Sequence, residues 1–460
     1  MRFAQLSDWL SPILVKELRQ GRRSRALILL AVLTLLASGM ITLYAIGKDS
    51  GTDAFIALYF CLSIVGFLIV PLTAHRSFVR EQEDGSWQVL QLTGLGPRRI
   101  LAGKLASSLA QVAILSVAVS PFLILSHFLT GYGLLNIALL CAAGALMTGA
   151  LTPAALFAAT LPTTRAQRGV LQILVLVGLI CGLSACVSFA MEVGRRGVDT
   201  YNLVASLWGV VSVGFVLFEA AAARISLPTE NYAWRPRLAL IVLLIGVTAL
   251  GVWAHVRVWG FGVPGPIFPD FVDYSARNFH LLTVLIISAG ALAMATEADR
   301  AGPPGHRRFS LFAPGALAGF RLTVLLLVAS TAFWGAVAEP HWLPGMVVVA
   351  SYPILYLAAA LWVCRGLRPR ALVAPDATRF VLGSWALLGA FVPWLLGKGF
   401  SAHGAAEEFP LALISPAVGY AFFDHPLPRG LYGPWVIGAL AVLAGVATDR
   451  LLARRRADRA

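Results

Sequence analysis

The residue types in this chain that could do chemistry gather in one stretch, residues 79–104, VREQEDGSWQVLQLTGLGPRRILAGK. It opens on charges (Arg80, Glu81, Glu83, Asp84), then passes through Gly85 into an apolar series (Trp87, Leu90, Leu92, Leu95). It closes on a basic turn (Pro97, Arg98, Arg99, Lys104). Such a set offers ion pairing and groove filling, not bond making. Carboxylates and guanidinium groups seek opposite charge, beside an aromatic ring that fills a pocket on a partner. A plain connection between neighbouring helices takes about 2–8 residues. A stretch this long and this mixed reads as a short surface helix for another protein to grip.

The sequence offers little else in the way of reactive constellations. It contains no HExxH, and its histidines are scattered singles (His75, His127, His255, His280, His306, His341, His403, His425), which read as interfacial or loop groups. The five cysteines (Cys61, Cys141, Cys181, Cys186, Cys364) lie in or at the ends of apolar runs without metal-ligand spacing, and read as small packing residues. Gly103-Lys104 is the nearest approach to a phosphate-binding loop, but Leu105 follows the lysine and Arg98 stands where the first glycine belongs. The chain therefore carries no ATP site of that kind and is not read as an enzyme, with no catalytic residue, metal or cofactor assigned to it. Asp49 and Asp53 sit in a segment, Gly47–Asp53, too small for a polytopic sugar-transferase site. Glu219 lies near Arg224 and reads as a snorkelling carboxylate paired with that arginine. Ion-driven carriers need titratable groups within the membrane, and their scarcity in the apolar runs disfavours proton or sodium coupling.

The elements that must position these residues follow from composition. Of 460 residues, 58% are hydrophobic and 13% charged, with a mean hydropathy of +0.79. Soluble domains run near about 25% charged, and a membrane span needs roughly 20 apolar residues. Twelve stretches qualify as candidates: Ala26–Ile46, Ala54–Ala74, Leu105–Phe128, Gly133–Thr160, Val170–Met191, Leu203–Ala222, Leu238–Val256, Leu281–Thr296, Leu322–Val337, Leu343–Val363, Phe380–Leu396 and Tyr432–Leu452. The eighth and ninth are the shortest. The expected fold is an all-α polytopic membrane helix bundle of about 12 transmembrane helices.

Charge placement tests that count. With the N-terminus inside, 29 of the 36 Lys and Arg residues fall in inner segments and 7 in outer loops, the asymmetry expected of cytoplasmic loops. Both termini are then cytoplasmic. The net charge of +14 is this inside bias and implies no nucleic-acid partner. It favours anionic lipid at the inner leaflet. The first 25 residues are charged before any apolar run begins, so no cleavable signal is expected and the first span serves as an anchor.

Residues 1–25 form a second organised region. Leu6, Trp9, Leu10, Ile13, Leu14 and Leu18 recur at three- and four-residue steps, with Asp8, Ser11, Lys16, Arg19, Arg22 and Arg23 on the other face. This is the pattern of an amphipathic helix lying in the interface. The polar segment Arg224–Arg237 divides the spans six and six, and in each half the longest inner loop follows the second span: 75–104 and 297–321. Two parallel copies of one six-span unit, or a six-span core with a six-helix extension, both satisfy this spacing. The outer segment Phe409–Phe423, broken by Pro410 and Pro416, reads as a re-entrant hairpin or as a loop packed on the outer surface.

Two segments together resemble the permease subunits of type-2 ATP-binding-cassette exporters. The first is Pro12-Ile13-Leu14-Val15-Lys16-Glu17-Leu18-Arg19-Gln20 with the basic run to Arg25, which is similar to that family's N-terminal elbow helix. The second runs from Arg80-Glu81 through Gly85-Ser86-Trp87, Leu90 and Leu92-Thr93 to Pro97-Arg98-Arg99-Ile100-Leu101-Ala102-Gly103-Lys104. It resembles the family's cytoplasmic coupling loop, with Gly94, Ser86 and Gln88 where that pattern has Pro, Thr and Glu. The resemblance covers residues 8–222 and leaves 223–460 outside it. It implies a separate ATPase subunit that holds ATP and Mg and docks on Arg80, Glu81, Glu83, Asp84, Gly85, Trp87, Leu90 and Leu92. Lys16, Glu17 and Arg19 of the elbow would move with it. It further implies a bacterial inner-membrane protein and a possible second permease copy. Two other readings share the span count: a major-facilitator-type secondary transporter, echoed faintly by Gly96-Pro97-Arg98-Arg99-Ile100-Leu101, and a membrane scaffold without transport.

Overall fold

The computed structural model describes residues 14–17, 19, 25–48, 51–84, 95–130, 133–161, 165–196, 200–226, 232–260, 271–294, 311–338, 342–366, 378, 381–382 and 433–457. The described residues are helical with short turns and contain no strand. They fall into two compact units, Met1–Leu227 and Pro228–Ala460.

Unit 1 contains α1 (Arg25–Lys48), α2, α3 (Pro97–Thr130), α4 (Leu134–Ala159), α5 (Arg165–Arg196) and α6 (Thr200–Ile225). α2 is continuous from Gly51–Ser63 through a π-helical segment, Ile64–Ile69, into Val70–Glu83. The π segment has a local cause. Pro71 has no N–H to give and its ring crowds the carbonyl four residues back, so the ladder widens just before it, with Val70 N–H bonding Val65 O. α2 is the central helix of the unit, with 56% of its most apolar window buried against 22% for α1. Phe55, Leu58, Tyr59, Leu62 and Val65 of α2 pack against Val112, Leu115 and Val119 of α3, Leu140 of α4 and Leu183 of α5. On α1, Thr34, Ser38 and Thr42 make a buried ladder, each hydroxyl donating to the carbonyl four residues back at 2.8 Å. Its other face is apolar and exposed (Leu29, Leu33, Leu36, Met40, Leu43). An apolar exterior over a packed interior is what lipid selects, because backbone groups satisfied within helices leave only side chains to meet the acyl chains.

Unit 2 contains α7 (Trp234–Gly260), α8 (Phe271–Met294), α9 (Ala316–Val337), α10 (Leu343–Leu361, running into a π turn at Trp362–Gly366) and α11 (Gly433–Ala457). Trp334 is buried, stacked on Phe279 with ring centroids 5.8 Å apart and edge-on to Phe333 at 5.2 Å. The absence of a side chain at Gly251 makes room for it: a Cβ there would collide with Trp334 and meet Phe279 Cγ at 2.8 Å.

Ten helices are long and apolar enough to cross a membrane, six in unit 1 and four in unit 2. The chain is an integral multi-pass membrane protein. Two of the twelve expected spans are not among the ten. The eighth is cut short: the apolar part of α8 is Asn278–Met294, shorter than the other ten. The eleventh, Phe380–Leu396, lies outside the described residues save for 381–382, of which Leu382 packs beside Leu357 and Leu361. The apolar outer run Phe409–Phe423 also lies outside them.

Candidate functional site

The charged stretch is built differently from a loop. α3 has 34 residues, about 51 Å at 1.5 Å per residue, against a hydrocarbon core of about 30 Å. α2, from Gly51 to Glu83, overhangs similarly. Residues 75–83 and 97–104, read as parts of an inner loop, are the helical extensions of α2 and α3. The linker 85–94 lies outside the described residues, and with it Gly85, Trp87, Leu90 and Leu92.

Lys104 organises this end of unit 1. Its side chain is 3% exposed, and Nζ donates to Glu17 Oε1 at 2.8 Å and to Ser77 Oγ at 3.1 Å. Glu81 Oε2 lies 3.0 Å away, and Glu81 Oε1 also takes Lys16 Nζ at 3.1 Å. One buried ammonium thereby ties residues 16–17, the end of α2 and the start of α3 into a single cluster. Burying a lone charge is expensive unless it is paired and hydrogen-bonded, and here two carboxylates and a hydroxyl meet that requirement. Beneath the cluster a small apolar plug of Phe78, Leu101, Leu156, Ala159, Ala221 and Ala222 separates it from the main core.

A second ion pair joins Arg98 of α3 to Glu219 of α6. This corrects the expectation for Glu219. Its carboxylate is 1% exposed and does not snorkel, and its partner is Arg98. Arg224 instead donates to the Thr160 carbonyl at 3.2 Å. Glu83 pairs with Arg168 of α5. The acids expected either to face a partner or to pair with Arg98 and Arg99 thus have other partners within the unit. Asp84 caps α2, its N–H bonding Arg80 O at 2.9 Å, with its side chain exposed. Arg19, Arg80 and Arg99 are exposed.

Two histidines read as interfacial or loop groups are buried helix residues. His75 Nδ1 donates to Ala155 O at 3.1 Å, and His280 Nε2 donates to Met346 O at 3.2 Å. The cysteines are free thiols, and Cys186 Sγ shares a 3.1 Å hydrogen bond with the Tyr59 hydroxyl. In unit 2, Arg237 is fully buried and donates to the carbonyls of Leu311 (2.7 Å), Ala313 (2.5 Å) and Gly315 (3.3 Å). Gly315, at φ 112° and ψ 162°, occupies a backbone region open essentially to glycine alone. Arg321 holds Asp449 through two contacts, at 2.5 and 2.9 Å, linking α9 to α11.

The sequence reading missed the Lys104 hub and the Arg98–Glu219 pair. A signal for the first was available: Leu101, Lys104, Ser108, Val112, Leu115 and Val119 recur at three- and four-residue steps, so the lysine shares the buried face of α3. Nothing local points to Glu219 as the partner of a residue 121 positions away.

Neither a protein-family model, nor a curated protein, nor a solved structure matches this chain.

Proposed function

We propose that the chain is the membrane-spanning permease subunit of an ATP-driven exporter, powered by a separate nucleotide-binding subunit that holds ATP and Mg. The observation that carries this reading is the Lys104 cluster. A force applied at the overhanging ends of α2 and α3 passes through Lys104 to Glu81 and Glu17, and so to the elbow and the central helix of the bundle together. That is a suitable input for a machine whose energy arrives from outside the chain. Twelve spans with both ends cytoplasmic place this basic end at the inner face of a bacterial inner membrane, where such a subunit would dock. Because Glu81 and Glu83 are held in cis, Asp84 and the linker 85–94 with Trp87 form the contact surface. The segment 223–460 acts as a second bundle, whether a decayed copy or an extension.

A detergent pull-down of the tagged chain from its native membrane tests this. An ATPase subunit should be recovered with wild type and lost with an Asp84→Arg, Trp87→Ala double variant. If wild type recovers no ATPase under mild conditions, the permease reading falls.

A further inference from the structure

A cleft of about 220 Å³ opens at the charged end of unit 1, between the extension of α2 and the first turns of α5. That is smaller than the roughly 300–1,000 Å³ of sites for drug-sized ligands. It has the scale of one compact charged group. Its walls carry Arg76 and Arg80, one turn apart on α2, with Arg168 and Gln172, one turn apart on α5. His75 lies at its floor, fixed to the Ala155 carbonyl. Glu83 is the acidic group in the lining, and Arg168 neutralises it. Among the described residues no carboxylate pairs with Arg76 or Arg80, and both are exposed. Two guanidinium groups therefore converge on a concave space without a counter-charge, the arrangement suited to phosphate.

The surroundings select the source of that phosphate. Ile173, immediately after Gln172, is 63% exposed, and Leu174, Val177 and Ile180 continue an exposed apolar strip along α5 away from the cleft. A free phosphate would have no use for such a strip. A phospholipid would lay an acyl chain along it while its headgroup sits at the arginines. Basic pockets between transmembrane helices at the cytoplasmic side favour anionic headgroups in the same way.

We propose that this cleft is a binding site for one anionic phospholipid, with Arg76 and Arg80 holding the phosphate and Ile173 and Val177 flanking an acyl chain. The site is intrinsic to the chain and does not depend on an ATPase partner, so it stands or falls separately from the permease reading. The test is native mass spectrometry of the purified full chain, delipidated and titrated with phosphatidylglycerol or phosphatidylcholine. Phosphatidylglycerol should be retained preferentially. An Arg76→Gln, Arg80→Gln double variant should weaken its retention about thirtyfold, the loss expected for two juxtamembrane arginines. Gln172→Glu, which leaves both arginines in place, should weaken it as well. Arg450→Gln, which removes an exposed charge on α11, should leave it unchanged. The proposal is overturned by equal retention of the two lipids, by an equal loss in Arg450→Gln, or by inorganic phosphate alone displacing the lipid at comparable concentration.

Discussion

At the scale of single residues, burial decides which charges matter. Lys16 and Lys104 both meet Glu81, but Lys16 is 43% exposed and Lys104 is 3% exposed. Breaking a buried pair by removing one partner costs about 3–5 kcal/mol, whereas an exposed pair contributes about 0–1 kcal/mol. Lys104→Met should therefore lower the thermal midpoint in detergent sharply and raise amide exchange at residues 14–17. Lys16→Met should leave both nearly unchanged. The same argument gives Arg98 and Glu219 unequal weights. Glu219 is buried while Arg98 is 42% exposed and can turn to water once alone. Arg98→Gln strands a buried carboxylate and should destabilise more than Glu219→Gln does. Thermal melts of the two variants in one detergent decide the order, and the reverse order would refute the assignment.

At the scale of elements, helix contact depends on what is missing between backbones. A Cβ on Gly214 of α6 would meet Ala150 Cα of α4 at 2.8 Å, and a backbone atom cannot turn aside. Gly149, one residue before Ala150 on α4, has its nearest prospective neighbour at 4.0 Å, the end of Leu109. Gly214→Leu should force α4 from α6 and broaden or lose the monodisperse peak in size-exclusion chromatography, while Gly149→Ala elutes as wild type. In unit 2 the turn entering α9 has no side chain of its own to satisfy its carbonyls. Arg237 does so from α7, and Gly315 supplies the backbone shape. Arg237→Met keeps the length of the side chain and removes its donors, leaving those carbonyls buried without them. Each such group costs about 1–3 kcal/mol. Proteolysis near residues 311–315 should rise in this variant and stay low in wild type.

At the scale of the whole molecule, orientation follows from charge. The proposed topology places Gly96, before α3, inside and Gly133, after it, outside. Single cysteines at these positions in a cysteine-free background should differ in intact cells. Gly133→Cys should react with a membrane-impermeant maleimide, and Gly96→Cys should react only after lysis. The opposite pattern would invert the topology and with it the docking surface.

Much of the architecture was legible in the chain itself. The membrane class, the helical content and the positions of ten spans follow from runs of apolar residues, because lipid permits a spanning backbone few alternatives to a helix. The overhangs of α2 and α3 were not legible, since polar residues such as Arg76 and Arg98 end an apolar run without ending a helix. Partner choice among charges was equally hidden. Glu219 stands five residues from Arg224 in sequence yet meets Arg98 from another helix, and Glu81 and Glu83 have two different cationic partners. Hydrophobic length is a local property and survives in one dimension. Which carboxylate meets which cation depends on how helices distant in sequence pack, and tertiary structure alone decided that.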